Sequence, residues 1–157
     1  MNIFILHSDA KENAKLYCDK HLVKMILESV QILCSVSRLK GIEAPYKLTH
    51  ENHPCVKWVA QSEAHWDMLI NMVVALNNEY KFRYNKNNNH KSYEVMKKLV
   101  KPSFSLTEAT GQFFAVVDEV KLLGLKEVIS EYRKYYKDKY GKMKMTWKNR
   151  EVPNFLK

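Results

Sequence analysis

The chain predicts an all-α, mainly helical fold in a single compact domain with a short extended N-terminal segment, and three observations carry that reading. Only four glycines and four prolines interrupt 157 residues, which leaves long stretches free of helix breakers. Apolar residues recur at helical spacing from about Tyr17 toward Gly41, from Ser62 to Tyr80 and from Leu125 to Tyr140. Alternation of the strand type is weak and confined to residues 2–7, apart from an ambiguous run at Phe113–Val117 that suits strand or helix.

Each element follows from local chemistry. Asp9 or Asn13 can cap a first helix leading into the long one that ends near Gly41. Residues 42–55 hold two prolines and several turn formers, so they form a loop. Pro54 suits the first turn of a short helix through Val56, Lys57, Trp58 and Val59. Ser62 and Glu63 open a helix whose Trp66, Leu69, Ile70, Val73, Leu76 and Tyr80 face the core, and residues 84–89 break it. A helix over Ser92–Lys101 follows, then one over Leu125–Tyr140 with Val128, Ile129, Tyr132 and Tyr136 on one face, and an irregular tail around Pro153. No internal repeat or domain boundary interrupts 1–157.

Composition narrows the function. A hydrophobic fraction of 46% argues against disorder, and a formal charge of +9 favours an anionic partner, nucleic acid first. The N-terminus lacks a basic leader and no apolar run approaches the ~20 residues needed to span a bilayer, so a cytoplasmic protein without membrane contact is expected. The three cysteines are expected to be reduced thiols, and no cofactor is expected. Glycine-rich phosphate loops, G-x-S-x-G, H-E-x-x-H and C-x-x-C pairs do not occur.

The sharpest feature is a polar stripe. At about 100° per residue, His21, Lys24, Glu28, Gln31 and Ser35 fall within roughly 80° of one another, on a helix whose other positions are largely apolar. Such a helix is normally buried, and burying Lys and Glu without partners is costly, so the stripe reads as the floor of a cleft. A carboxylate beside a cation there can stabilise developing positive charge or relay protons. The competing reading is a solvated Lys24–Glu28 pair at i,i+4.

The loop His50-Glu51-Asn52-His53-Pro54-Cys55 places Asn52 and His53 at a helix start suited to an anion. Cys18, His21, His53 and Cys55 could instead supply a zinc site, although their spacing matches no common zinc pattern and no metal is expected. Two basic stretches interleaved with aromatics suit phosphates and exposed bases: one holds Arg83, His90 and Lys91, the other Arg133, Tyr136, Trp147, Lys148 and Arg150. From 131 to 157 there are nine Lys/Arg against three Asp/Glu. The alternative is that the tyrosines are core and the lysines a solvated face.

Four places resemble the pyrimidine-dimer DNA glycosylase family of the endonuclease V type. Asp19-Lys20-His21-Leu22 with Glu28 nine residues after Asp19 is similar to the family's Asp-x-His-Leu and catalytic glutamate; Asn52-His53-Pro54 with Trp58, Glu79-Tyr80-Lys81-Phe82 and Thr146-Trp147-Lys148 are the others. The chain is also similar to phage proteins sharing its Cys-Asp-Lys-His and Asn-His-Pro-Cys motifs. The family resemblance implies a helical domain that grips a damaged duplex, extrudes a nucleotide and attacks C1′ with its N-terminal α-amine. It gives Glu28 the role of stabilising the cationic sugar, and His21 that of contacting the lesion backbone or assisting proton transfer. Met1 and Asn2 stand where the family commonly exposes a threonine, and Leu27 and Gln31 stand where arginines flank the phage enzyme's glutamate.

The expected function is therefore a DNA glycosylase, with or without abasic-site lyase activity, acting on damaged or modified pyrimidines in duplex DNA as a monomer. Glu28, His21, Met1 and Asn2 are its candidate catalytic residues. Lys24, Gln31, Asn52, His53, Arg83, His90, Lys91, Arg133, Tyr136, Trp147, Lys148 and Arg150 are its candidate substrate contacts. The alternatives are a non-catalytic nucleic-acid-binding protein and an enzyme acting on a free nucleotide or small phosphorylated metabolite.

Overall fold

The structure, a computed structural model, describes residues 2–108, 112–116 and 119–157. It is mostly helical, in the order α1 (Ala10–Leu16), α2 (Asp19–Leu39), α3 (Pro54–Gln61), α4 (Glu63–Tyr84), α5 (Lys91–Met96), an antiparallel hairpin, α6 (Leu125–Tyr140) and a final 3-10 turn at Asn154–Leu156. The hairpin pairs β1 (Gln112–Val116) with β2 (Glu119–Leu123), so the ambiguous apolar run is strand over Phe113–Val116. Val117 lies outside the described residues.

The extended N-terminal segment is core. Ile3, Phe4, Ile5 and Leu6 are at most 4% exposed, so their backbone needs internal partners. Asn13 supplies them: its Oδ1 accepts from the Leu6 and His7 N–H groups and its Nδ2 donates to the Phe4 carbonyl. The helix cap offered to Asn13 therefore belongs to Asp9 alone, which accepts from Lys11 and Glu12 N–H. Tyr17 and Cys18 in extended conformation separate α1 from α2, so the long helix starts at Asp19.

α2 packs on α3, α4 and α5. Its C-terminal half is pinned under the 42–53 loop, where Arg38 donates to the Tyr46 and Ala44 carbonyls and Ser35 Oγ donates to the Thr49 carbonyl. Ser62 caps α4 through the His65 N–H, and Asn85 ends it in the left-handed conformation at φ 48°. The helix expected over Ser92–Lys101 spans only Lys91–Met96: the chain tightens into i→i+3 bonds from Lys98 to Val95 and from Leu99 to Met96 and is irregular from Leu99 on. Among the described residues no helix is long and apolar enough to cross a membrane.

Candidate active site

Glu28 sits midway along α2, where the polar stripe follows the border between the buried face and solvent. The stripe is sealed at one end, where Ser35 is fully buried, and open at the other, where Lys24 is exposed. The expectation that the apolar positions around the stripe are buried is corrected at Leu27, which is 38% exposed. Glu28 Oε1 lies 3.2 Å from Lys24 Nζ, with the glutamate side chain 13% exposed and the lysine 58%. The carboxylate is thus neither in bulk solvent nor sealed, and the lysine meets it from the water side.

His21 lies two turns before Glu28 on the same stripe. Its Nδ1 is 2.7 Å from the Tyr136 hydroxyl of α6, and its ring packs against Phe4 at 4.9 Å. Burial, then the Lys24 and Lys20 charges, push its pKa down to about 4 against the opposing field of Glu28. The imidazole is therefore neutral at neutral pH. Lys139 acts on His21 in the same sense as Lys20 and Lys24, and its ammonium stands 5.4 Å from the Tyr135 ring. The Lys20, Lys24 and Lys139 charges thus all act on His21 in one sense, and Lys24 also pairs with Glu28.

His53 approaches from α3, where it is the N-cap, its Nδ1 accepting from Cys55 N–H at 3.1 Å. Burial lowers its pKa and the Glu28 charge opposes the shift. Burial pushes the Cys55 thiol up to about 12, so Cys55 is inert packing. His53 lines an open depression of about 560 Å³ with Leu48, His50, Glu51 and Asn52. His50 turns that loop through the left-handed region at φ 52°.

The remaining sequence candidates divide sharply. Arg83, offered to phosphate, is fully buried: its guanidinium binds Glu79, Asp19 and the carbonyls of Tyr17 and Lys15. Tyr136 is also fully buried and reaches the site only through His21. Trp147 is 6% exposed and its indole N–H donates to the Leu16 carbonyl, so its face is not open for stacking. Arg83 and Trp147 are corrected to structural positions, since their polar groups are spent on buried partners, while Tyr136 offers substrate no surface and stands behind His21. Arg150 is engaged as well, holding both Glu79 oxygens at 2.9 Å above the Phe82 ring.

Lys148 donates its backbone N–H to Asp19, and its ammonium lies over Tyr84. His90 caps α5 through the Ser92 N–H, beside an exposed Lys91. Gln31 is half-buried one turn after Glu28, and Asn52 is exposed. Asn2 Oδ1 accepts from the Tyr132 hydroxyl at 2.8 Å, whereas Met1 lies outside the described residues.

Arg133 belongs to a separate basic groove of about 310 Å³, lined by Lys126, Ile129, Ser130, Lys134, Lys137 and Phe155. Its Nε is fixed on the Leu6 carbonyl and its guanidinium on the Phe155 ring. Lys20, Lys139 and Phe4 are not among the candidate site residues, and Tyr135 enters only as part of the second basic, aromatic stretch; Lys20, beside His21 in the motif, carries a usable signal. Among the described residues no group of three or more His, Cys, Asp or Glu converges as a metal site, so Cys18, His21, His53 and Cys55 form no such cluster.

This mainly helical protein thus carries on one helix stripe a half-open carboxylate, a neutral imidazole and an exposed lysine. Comparison with protein families is specific: the family model of pyrimidine dimer DNA glycosylases matches residues 1–92, more than half of the chain, and the chain belongs to that family. Comparison with curated proteins and with solved structures gives no match. The matched region carries α1 to α4 and with them Glu28, His21 and His53, while α6 and its Tyr136 lie beyond it.

Proposed function

We propose that this chain is a DNA glycosylase that releases a damaged or modified pyrimidine from duplex DNA and then cleaves the strand at the abasic sugar. The supporting observation is Glu28, 13% exposed on the helix stripe that also carries the neutral His21, with the exposed Lys24 3.2 Å away. As the glycosidic bond loosens, positive charge develops at C1′, and a carboxylate in a partly dewatered cleft stabilises it more than bulk water would. Neutral imidazoles donate or accept hydrogen bonds there without adding a competing cation. Lys20, Lys24 and Lys139 suit the flanking phosphates, and the depression at His53 is large enough for an extruded nucleotide.

In the cleavage step an amine attacks C1′ as the base departs with the bonding electrons. The nitrogen gives up a proton, the C1′–O4′ bond opens with a proton going to O4′, and the resulting C1′ imine acidifies C2′; loss of the C2′ proton expels the 3′ phosphate. By likeness to the family the amine is the chain's α-amine, whose ordinary pKa near 8 leaves a usable unprotonated fraction at neutral pH. The test is borohydride reduction during incubation with UV-irradiated or abasic duplex. A covalent protein–DNA adduct and free base are expected. Base release without an adduct removes the lyase step, and neither product overturns the reading. Tight, salt-dependent duplex binding by the wild-type chain with no base release, unchanged in Glu28→Gln, would assign a binding protein instead.

A further inference from the structure

His21 and Tyr136 come from opposite ends of the chain and meet at 2.7 Å, with Tyr136 fully buried and His21 half-buried. The Tyr136 hydroxyl is fully buried, and its single hydrogen costs free energy if it is left without an acceptor. His21 Nδ1, 2.7 Å away, is the acceptor within reach. A neutral imidazole that accepts at Nδ1 carries its own proton on Nε2. Phe4 holds the ring from one side, at an interplanar angle of 33°.

We propose that Tyr136 is a positioning residue that locks His21 as the neutral Nε2–H tautomer, making it a fixed hydrogen-bond donor to a sugar or phosphate oxygen of the bound nucleotide. The donor role rests on the glycosylase reading; the tautomer does not. The groups around the imidazole agree with a neutral ring, since Lys20, Lys24 and Lys139 disfavour its cation and only Glu28 favours it. Phe4, Tyr135 and Tyr136 bring no charge to this side at neutral pH. His21 then contributes direction rather than charge, and its donor survives unchanged through the neutral range.

The test is long-range proton–nitrogen NMR on the full chain labelled with nitrogen-15 in histidine, with the His21 ring assigned by its absence in His21→Asn. The wild-type chain is expected to show a protonated Nε2 and a bare Nδ1 from pH 5.5 to 8. Tyr136→Phe keeps the ring in the core, and its His21 nitrogens are expected to move toward an average of the two tautomers. A wild-type Nδ1–H tautomer or imidazolium at neutral pH overturns the proposal, as does an unchanged spectrum in Tyr136→Phe. The wild-type measurement decides even if the variant fails to fold. Incision of UV-irradiated duplex, run in parallel, tests the glycosylase reading separately: its absence beside the expected spectrum would sink that reading and leave the tautomer lock standing.

Discussion

Arg83 Nε lies 2.7 Å from Glu79 Oε1, one turn apart on α4, with the arginine fully buried and the glutamate 6% exposed. The same guanidinium reaches Asp19 at the start of α2, and Glu79 also holds Arg150 from the C-terminal tail. Asp19 in turn accepts from the Thr146 hydroxyl and the Lys148 N–H. Two acids and two arginines thus tie α1, α2, α4 and the tail into one charge-balanced clasp. Removing Arg83 would leave Glu79 to Arg150 alone and the Tyr17 and Lys15 carbonyls without their buried donor. Arg83→Ala is expected to cost about 3–5 kcal/mol in urea denaturation, and Arg83→Lys is expected to recover only part, since an ammonium cannot reproduce the planar fork.

Glu28 behaves differently because it faces solvent on one side and pairs with an exposed lysine. Glu28→Gln is expected to change stability by less than about 1 kcal/mol and to lower base release from UV-irradiated duplex by at least ~100-fold. Duplex affinity is expected to persist or rise. Gel-resolved release assays beside fluorescence anisotropy check both. Equal release by the variant would remove Glu28 from the chemistry.

The buried imidazoles make stability depend on acid. His21 has an ordinary pKa of 6.5 and one of about 4 in the fold, so the unfolded chain binds more protons between those values. Its contribution is therefore complete above pH 6.5 and is lost as pH falls toward 4. His53 and His90 are lowered by burial and act in the same direction. Urea midpoints are expected to fall from pH 7 to pH 5, above the range where Glu79 itself titrates, and His21→Asn is expected to flatten part of that slope. A midpoint independent of pH over that interval would contradict a neutral His21.

The groove holding Arg133 offers a measurement of charge. Duplex affinity is expected to fall linearly with the logarithm of salt concentration. Lys126→Glu combined with Lys137→Glu is expected to weaken binding and to reduce the slope by about one unit for each phosphate that is no longer neutralised. Titrations at several salt concentrations check it. An unchanged slope would show that phosphates do not enter this groove.

Much of the framework was visible in the sequence because local chemistry decides it. The apolar period set α2, α4 and α6, Pro54 marked the start of α3, and Ser62 the start of α4. The early stop of α5 and the hairpin were less legible, since short segments take their state from neighbours. Charged and aromatic letters were the hardest. Arg83 and Arg133 sit in similar basic-aromatic surroundings, yet one is a buried clasp and the other lines an open groove. The four motif places also split: Asp19, Glu79 and Thr146-Trp147-Lys148 converge on the clasp, while Glu28, His21 and His53 belong to the proposed site.

By itself the sequence determined that this chain is mostly helical and strongly basic, and that one helix carries a narrow polar stripe with a lone carboxylate. Those properties depend on residues a few positions apart. Only the tertiary structure decided which cations face solvent, that the stripe lies on a border rather than a floor, and that Tyr136 meets His21 from 115 residues away. Such facts arise from long-range packing, where burial and partner choice depend on segments that no local pattern connects.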